Sequence, residues 1–416
     1  MSAMTVLAVP SLQRSALADL RDSPKVIVDE AWQIVNRDYV DGTFNRVDWQ
    51  ATRQQLLSRD YTSKEQAYEA IAAALATLDD PYTRFMDPEQ FSALRSQTSG
   101  ELSGIGVRLK VDRQTNILTV AEPIEDSPAF KAGIQAGDQL LAIDGKSTEG
   151  MSVESASKLI RGEAGKPVQL RLRRANRGEF ELRIDRAQIE LPTVYAYLRK
   201  EGNHNIGYIR LADFSSHASS QMRRAINNLK RQGVDAFVLD LRGNPGGLLY
   251  ASIEISRMWM NSGAIVRTVD RGGKGEEIRA NQTALTDLPL AVLVDGNSAS
   301  SSEILTGALK DNRRAIVVGS KTFGKALVQS VRSLSDGSGI AVTIAHYYTP
   351  NGTDISKKGI TPDVLVDLSS EQQQFLGQNP ELIGTWQDPQ YLRAVMTLRA
   401  TALANPAQQA NNQPNR

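Results

Sequence analysis

No cysteine occurs among the 416 residues. Thiol nucleophiles, thiolate metal sites and disulfides are therefore excluded, and any covalent catalysis falls to Ser, Thr or Lys. Histidine is almost as scarce: His204, His217 and His346 lie in separate segments without a His-x-x-x-His pair, so no zinc site is expected. Long apolar runs are missing as well, and with no stretch of 18 apolar residues the chain as given holds no candidate spanning helix. Charge of one sign is absent too: 48 Lys and Arg stand against 47 Asp and Glu, which gives no reason to expect nucleic acid as a partner. What remains is ordinary globular composition, 41% hydrophobic and 23% charged, in a chain long enough for two or three cores.

Composition divides the chain. Residues 1–23 hold an apolar run, Met4 to Val9, followed by Ser15-Ala-Leu-Ala, a small-x-small pattern with no Lys or Arg ahead of the run; the segment reads as the remnant of an export signal or as disordered chain. Residues 24–98 read as an N-terminal helical domain. Ile27, Ala31, Ile34 and Val35 recur at helical spacing, as do Ala67, Ile71, Ala74, Leu75 and Leu78, until Asp79-Asp80-Pro81 stops the pattern. Residues 99–188 change to short alternating runs with turns and two brief helices, a β domain. Residues 189–370 alternate strand and helix. The apolar strands at 206–210, 236–240, 290–294, 315–318 and 340–347 read as central members of a largely parallel, helix-covered sheet, giving an α/β multidomain fold. Residues 371–404 read as a C-terminal helical extension packing on that core, and 405–416 hold too little apolar content to fold.

Active sites of such sheets lie at the carboxyl ends of the strands, where three Gly- or Ser-rich turns occur. Leu290-Ala-Val-Leu-Val-Asp-Gly-Asn-Ser-Ala-Ser-Ser-Ser-Glu is a strand, a turn and a helix start. A hydroxyl there sits in the field of unpaired helix N–H groups, although Ser300 to Ser302 could equally serve as helix caps. A serine nucleophile needs a base, and the histidines do not suit: His204 lies in a polar turn, His217 at a helix start and His346 within a strand. Lysine serves if burial or a nearby cation keeps its amine neutral. The candidate is Lys325, in Gly319-Ser-Lys-Thr-Phe-Gly-Lys-Ala-Leu-Val-Gln, with Lys321 as the solvated counter-case.

Together with Asp240-Leu-Arg-Gly-Asn-Pro-Gly-Gly, these segments resemble the carboxyl-terminal processing peptidases, or tail-specific proteases. The resemblance covers roughly residues 26–366 and is greatest to the cyanobacterial and chloroplast branch. It implies Ser300 as nucleophile, Lys325 as base, Gln329 as the partner of that lysine, and an oxyanion held by the Ser301 and Gly243 amides. Ser301 stands where the family usually has alanine, and Ala326 where glycine is common; neither change removes a backbone N–H. Gln329 follows Lys325 by four residues, about 13 Å along a strand, so direct contact requires the backbone to turn or the side chains to converge.

Gly104-Ile105-Gly106-Val107, ahead of an alternating strand, is similar to the carboxylate-binding loop of PDZ domains. The stretch from Ser127 to Gly145 is similar to PDZ text as well. The resemblance implies a serine endopeptidase that captures substrate C-termini and cuts near them, with protein substrates as partners, membrane-associated ones included, and no metal or organic cofactor. It also implies export to the periplasm or thylakoid lumen, with the photosystem II reaction-centre precursor as one candidate substrate. The alternative is a catalytically silent PDZ scaffold that binds exported C-termini. An esterase or amidase is disfavoured because no Gly-x-Ser-x-Gly elbow occurs. Oligomeric state is not read from the sequence.

Overall fold

Every residue of Ala236–Asp240 and of Leu290–Val294 is buried, the pattern of strands covered on both faces. The structure, a computed structural model, describes residues 23–112 and 115–403. The signal remnant expected before residue 23 and the tail expected after residue 404 lie outside the described residues. Two compact units divide the chain: one takes in the sequence up to Arg95, Val194–Phe214 and everything from Met222 onward, the other Ser96–Thr193 with Ser215–Gln221.

In the first unit α1 (Pro24–Asp38), α2 (Trp49–Ser58) and α3 (Lys64–Ala76) form a helical layer. Asp48 and Ser63 cap the second and third by accepting from Ala51 and Gln66 amides. Ile27, Val35, Ile71 and Leu75 pack with Ile340 and Val342 in one cluster, so the helices share a core with a distant strand. The stretch read as wholly helical also contains a strand, β1 (Arg84–Met86), before α4 (Pro88–Ser99). Three residues are too few to show a period of two, which is why the strand escaped the sequence pattern.

The second unit runs through β2 (Glu101–Gly104), β3 (Val107–Val111), β4 (Leu118–Pro123), α5 (Pro128–Lys131), β5 (Gln139–Ile143), β6 (Lys146–Ser147), α6 (Val153–Ile160), β7 (Pro167–Arg174), β8 (Gly178–Asp185) and β9 (Ala187–Glu190). Its antiparallel sheet has the order β3-β4-β5-β7-β8, with β6 on β5, while β2 pairs only with β9. Alternation in β7 buries Val168, Leu170 and Leu172 against Ile105, Val120, Leu140 and Ile143.

The chain then completes the first unit with β10 (Val194–Glu201), β11 (His204–Leu211), α7 (Ala218–Arg231), β12 (Ala236–Asp240), α8 (Leu249–Trp259), β13 (Ala264–Asp270), β14 (Gly275–Arg279), β15 (Leu290–Val294), α9 (Ser301–Asp311), β16 (Ile316–Gly319), β17 (Leu327–Ser333), β18 (Gly339–Tyr348), β19 (Val364–Leu365), α10 (Ser370–Gln378) and α11 (Pro389–Leu398). One sheet has the order β10-β11-β12-β15-β16-β19, parallel from β11 to β19 with β10 antiparallel at its edge. α11 covers one face through Tyr391, Ala394, Val395 and Leu398, packed on Tyr208, Val238, Leu293 and Val318. Phe237 points the other way and meets Trp259 of α8 edge to face.

The strand expected at 340–347 does not join this sheet. It forms β18, the centre of a second, antiparallel sheet with β1, β13 and β17, and β14 lies outside β13. Burial of five consecutive residues, Gly339 to Thr343, makes a run that local pattern cannot distinguish from a parallel strand. His204, expected in a turn, opens β11.

Candidate active site

Adjacent strands β12, β15 and β16 present their carboxyl ends side by side, and the three turns leave from there. The serines of the β15–α9 turn divide by what their hydroxyls do. Ser298 donates to Leu241 O at 2.8 Å, Ser301 to Gly247 O at 3.0 Å and Ser302 to Asn244 O at 2.9 Å, so these three tie the turn to the loop after β12. At the helix N-cap the Glu303 amide donates to the Ser300 carbonyl at 2.8 Å, and Ser300 is half-buried. Its φ of 53° and ψ of −113° are an outlier for a residue with a Cβ, the strain common at functional sites. A Cβ at Gly246 would lie 2.9 Å from the Ser300 Cβ, so only glycine lets the neighbouring loop approach this closely.

Lys325 lies in the turn after β16 and is half-buried, whereas Lys321 is exposed. Burial pushes its amine below the ordinary lysine value and Arg84 acts the same way, against Asp80 and Glu303. The ammonium position is over the Tyr82 ring, 4.4 Å from its centre.

Glu303, the acid in the first turn of α9, joins the two residues. Glu303 is buried, and its Oε2 accepts from the Ser300 amide at 3.0 Å and from the Lys325 amide at 2.9 Å. Its Oε1 accepts from Thr322 Oγ1 at 2.6 Å and from the Gly324 amide at 2.7 Å. Burial raises this carboxyl above the usual range while the four donors oppose the shift. On the opposite side the buried Tyr347 hydroxyl donates toward the Ser300 carbonyl at 3.2 Å and the Lys325 carbonyl. Thr322 is braced in turn by Ile360, whose amide reaches Thr322 Oγ1 at 2.6 Å, giving the 352–363 segment a supporting part. Glu303→Gln replaces one acceptor oxygen with NH₂, which faces donors whichever way the amide turns. It is expected to lower kcat about 10- to 100-fold through one or two orphaned donors of about 1–3 kcal/mol each, with a lowered Tm; unchanged kinetics would show the carboxylate to be dispensable.

The oxyanion residues are less uniformly presented. Ser301 opens α9, whereas the Gly243 amide donates to Asp295 Oδ1 at 3.0 Å and in this arrangement is engaged. Gly243 itself has a φ of 70° with no atom within 4 Å of a would-be Cβ. The preceding Arg242 is partly exposed but clamped: its guanidinium meets Asp240 at 2.6 Å and Asp388, the N-cap of α11, at 2.6 Å, with Gln390 at 2.9 Å. Burial opposes the charge on Arg242 and Asp240, but their attraction outweighs it, raising the arginine and lowering the aspartate.

Gln329 lies in β17 opposite Thr343, next to a register shift between Val328 and Gln329. Its Nε2 and the Thr343 Oγ1 are buried without hydrogen-bond partners, and Gln329 makes no bond to Lys325. In the second unit Gly106 has a φ of 80°, and a Cβ there would meet Ser127 Cβ at 2.3 Å. The loop carbonyls are used internally, Ile105 O by Ala129 N and Gly106 O by Ile124 N, each bond within 2.9 Å. Ile105 is fully buried and Gly104 ends β2 against Ala187, while Val107 begins β3. No group of His, Cys, Asp or Glu among the described residues could hold a metal ion.

Comparison with known proteins places the chain in a family. Residues 205–366 match peptidase family S41, and residues 119–174 match a PDZ domain. The chain is 46% identical over 354 residues to a carboxyl-terminal-processing protease of Picosynechococcus sp., covering 85% of this chain and 86% of that one. It is 41% identical to carboxyl-terminal-processing peptidase 2, chloroplastic, of Arabidopsis thaliana, covering 80% of this chain and 67% of the relative. Among solved structures, a photosystem II D1 C-terminal processing protease aligns with a TM-score of 0.55 and 36% identity, across 92% of this chain and 98% of that one. The chain belongs to the carboxyl-terminal-processing proteases of peptidase family S41, serine peptidases of the branch found in cyanobacteria and chloroplasts.

Proposed function

We propose that this C-terminal processing protease cuts by a Ser300–Lys325 dyad and trims C-terminal extensions of exported proteins, the photosystem II D1 precursor among them. The observation that carries the dyad is the single oxygen, Glu303 Oε2, that accepts from both residues' amides. Neutral Lys325 takes the Ser300 proton as Oγ attacks the peptide carbonyl. The Ser301 amide, joined by that of Gly243 once it leaves Asp295, receives the negative oxygen. Lysine then protonates the departing amine, and water, deprotonated by the same lysine, releases the acyl group and restores the serine. Gln329, with an unpartnered buried Nε2 and a carbonyl to offer, is the group that would steady the neutral amine. The D1 precursor as substrate, and the thylakoid lumen or periplasm as location, are supported by the structural neighbour, a photosystem II D1 C-terminal processing protease, and by the chloroplastic relatives.

Gly104 to Val107 would receive the substrate's terminal carboxylate on backbone N–H groups, while the strand Val107–Val111 pairs with the tail. A captured tail raises the local substrate concentration at the active site. Gly106→Val, which the Ser127 contact and the positive φ do not tolerate, is expected to lower kcat/KM on an unstructured tailed protein about 100-fold. The same protein with an amidated C-terminus is cut slowly and equally by parent and variant. Mass spectrometry of new C-termini checks both. Equal loss on the free and amidated substrates would remove the tail-capture role.

A further inference from the structure

Lys325 is the only base the dyad reading provides, yet in this structure its amine makes no hydrogen bond to Ser300. It rests 4.4 Å from the centre of the Tyr82 ring. Tyr82 comes from the Asp80-Pro81-Tyr82-Thr83 turn, nearly 250 residues before the lysine. That turn is built to hold its position. The Tyr82 amide donates to Asp80 Oδ1 at 3.0 Å and Thr83 Oγ1 to Asp80 Oδ2 at 2.7 Å, while the buried Thr83 hydroxyl accepts from the Thr343 amide of β18 at 3.0 Å. Immediately afterwards β1 pairs in register with β18, Arg84 opposite Ala341. The chain from residue 80 to 86 is therefore fixed to the strand that also carries Tyr347, whose hydroxyl meets the Lys325 carbonyl.

We propose that Tyr82 is a further positioning residue of this protease: its ring seats the Lys325 amine and so governs when that amine is free to take the Ser300 proton. The inference rests on Lys325 being the base.

An aromatic face attracts an ammonium and has no such attraction for a neutral amine. The other charged groups acting on Lys325 are Arg84 and Asp80 from the same segment and Glu303 from α9; the arginine works against the charged form, the two acids for it. Burial is the largest influence and favours the neutral base. The ring works against burial, keeping the lysine charged and parked until the proton is lost. Leucine at position 82 retains apolar cover but lacks the ring quadrupole, so the two effects separate experimentally.

The test uses the full chain with parent, Tyr82→Leu and Tyr82→Phe. Two readouts are taken: the pH dependence of kcat/KM on an unstructured tailed protein, and the titration of the Lys325 side chain by NMR with ¹³Cε-lysine, assigned with Lys325→Arg. Tyr82→Leu is expected to move both midpoints about 0.5–1 pH unit lower, and Tyr82→Phe to leave them in place. An unmoved or raised midpoint in Tyr82→Leu overturns the proposal, even if the rate falls evenly at every pH, as loss of a purely structural residue would make it do. Lys325→Ala separates the two readings: if it stays active the dyad fails, while the NMR midpoint still reports what the ring does to the amine.

Discussion

Ser300→Ala is expected to reduce kcat on an unstructured tailed protein by roughly 10⁴–10⁶-fold, and Lys325→Ala by a comparable factor, with the double variant no worse than either alone. The non-additivity is the informative part. A nucleophile and its base act in one proton transfer, so removing the second partner after the first removes nothing further. Both hydroxyl and amine are only half-buried, and neither carries the turn's internal bonds; those are made by Ser298, Ser301 and Ser302 and by the two amides on Glu303. Neither change should therefore lower Tm by more than about 0.5 kcal/mol's worth, the range of substitutions outside bonded networks. Parent activity is expected to rise with pH as Lys325 loses its proton, with a midpoint below the ordinary lysine value because burial disfavours the ammonium. Measurable turnover by Lys325→Ala at neutral pH would show that another group takes the proton. Additive losses would show two separate roles.

Arg242→Ala is expected to destabilise the folded protein by about 3–5 kcal/mol, because removing one partner leaves buried charge without compensation. Two carboxylates are stranded, Asp240 and Asp388, both buried to within a percent of completely. Tyr208 still donates to Asp240 at 2.6 Å, and the Gly384 amide to Asp388 at 3.0 Å, but neither supplies charge. Since Asp388 starts the helix that covers the parallel sheet, the loss is expected to loosen α11 first. Urea unfolding by circular dichroism measures the change. The sign of its pH dependence is also fixed: Asp240 sits below its unfolded value because of Arg242, so its contribution is present above the unfolded pKa and disappears as pH falls through the folded one. In Arg242→Ala that acid-side loss of stability should shrink or reverse. A variant within 1 kcal/mol of the parent would mean the clamp is not holding the loop.

Much of the chemistry was readable because it is local. An apolar strand followed by a Gly- or Ser-rich turn marks the carboxyl end of β15 and of β16, and the two strands prove to be neighbours, so Ser300 and Lys325 leave the sheet side by side. Within the second unit the period of two in Pro167–Arg174 likewise shows directly as alternate burial. What the sequence hides is contact between distant segments. Nothing near Glu303 distinguishes a capping acid from one that grips a loop 19 to 22 residues later. Arg242 and Asp388 are 146 residues apart and look like unrelated surface charges until the fold pairs them. The antiparallel placement of β18 is hidden for a similar reason: a strand whose first five residues are all buried does not announce which sheet it enters.

The Asp295 side chain now occupying the Gly243 N–H has a consequence for the idle enzyme. If that N–H is to meet the oxygen of a tetrahedral intermediate, the carboxylate is a built-in surrogate for the anion to come. One negatively charged acceptor is exchanged for another, so the Gly243 N–H is not left an unmet donor, and its swap asks little net energy of the substrate. Gly243 suits this turn because its φ of 70° is one that residues with a Cβ rarely adopt.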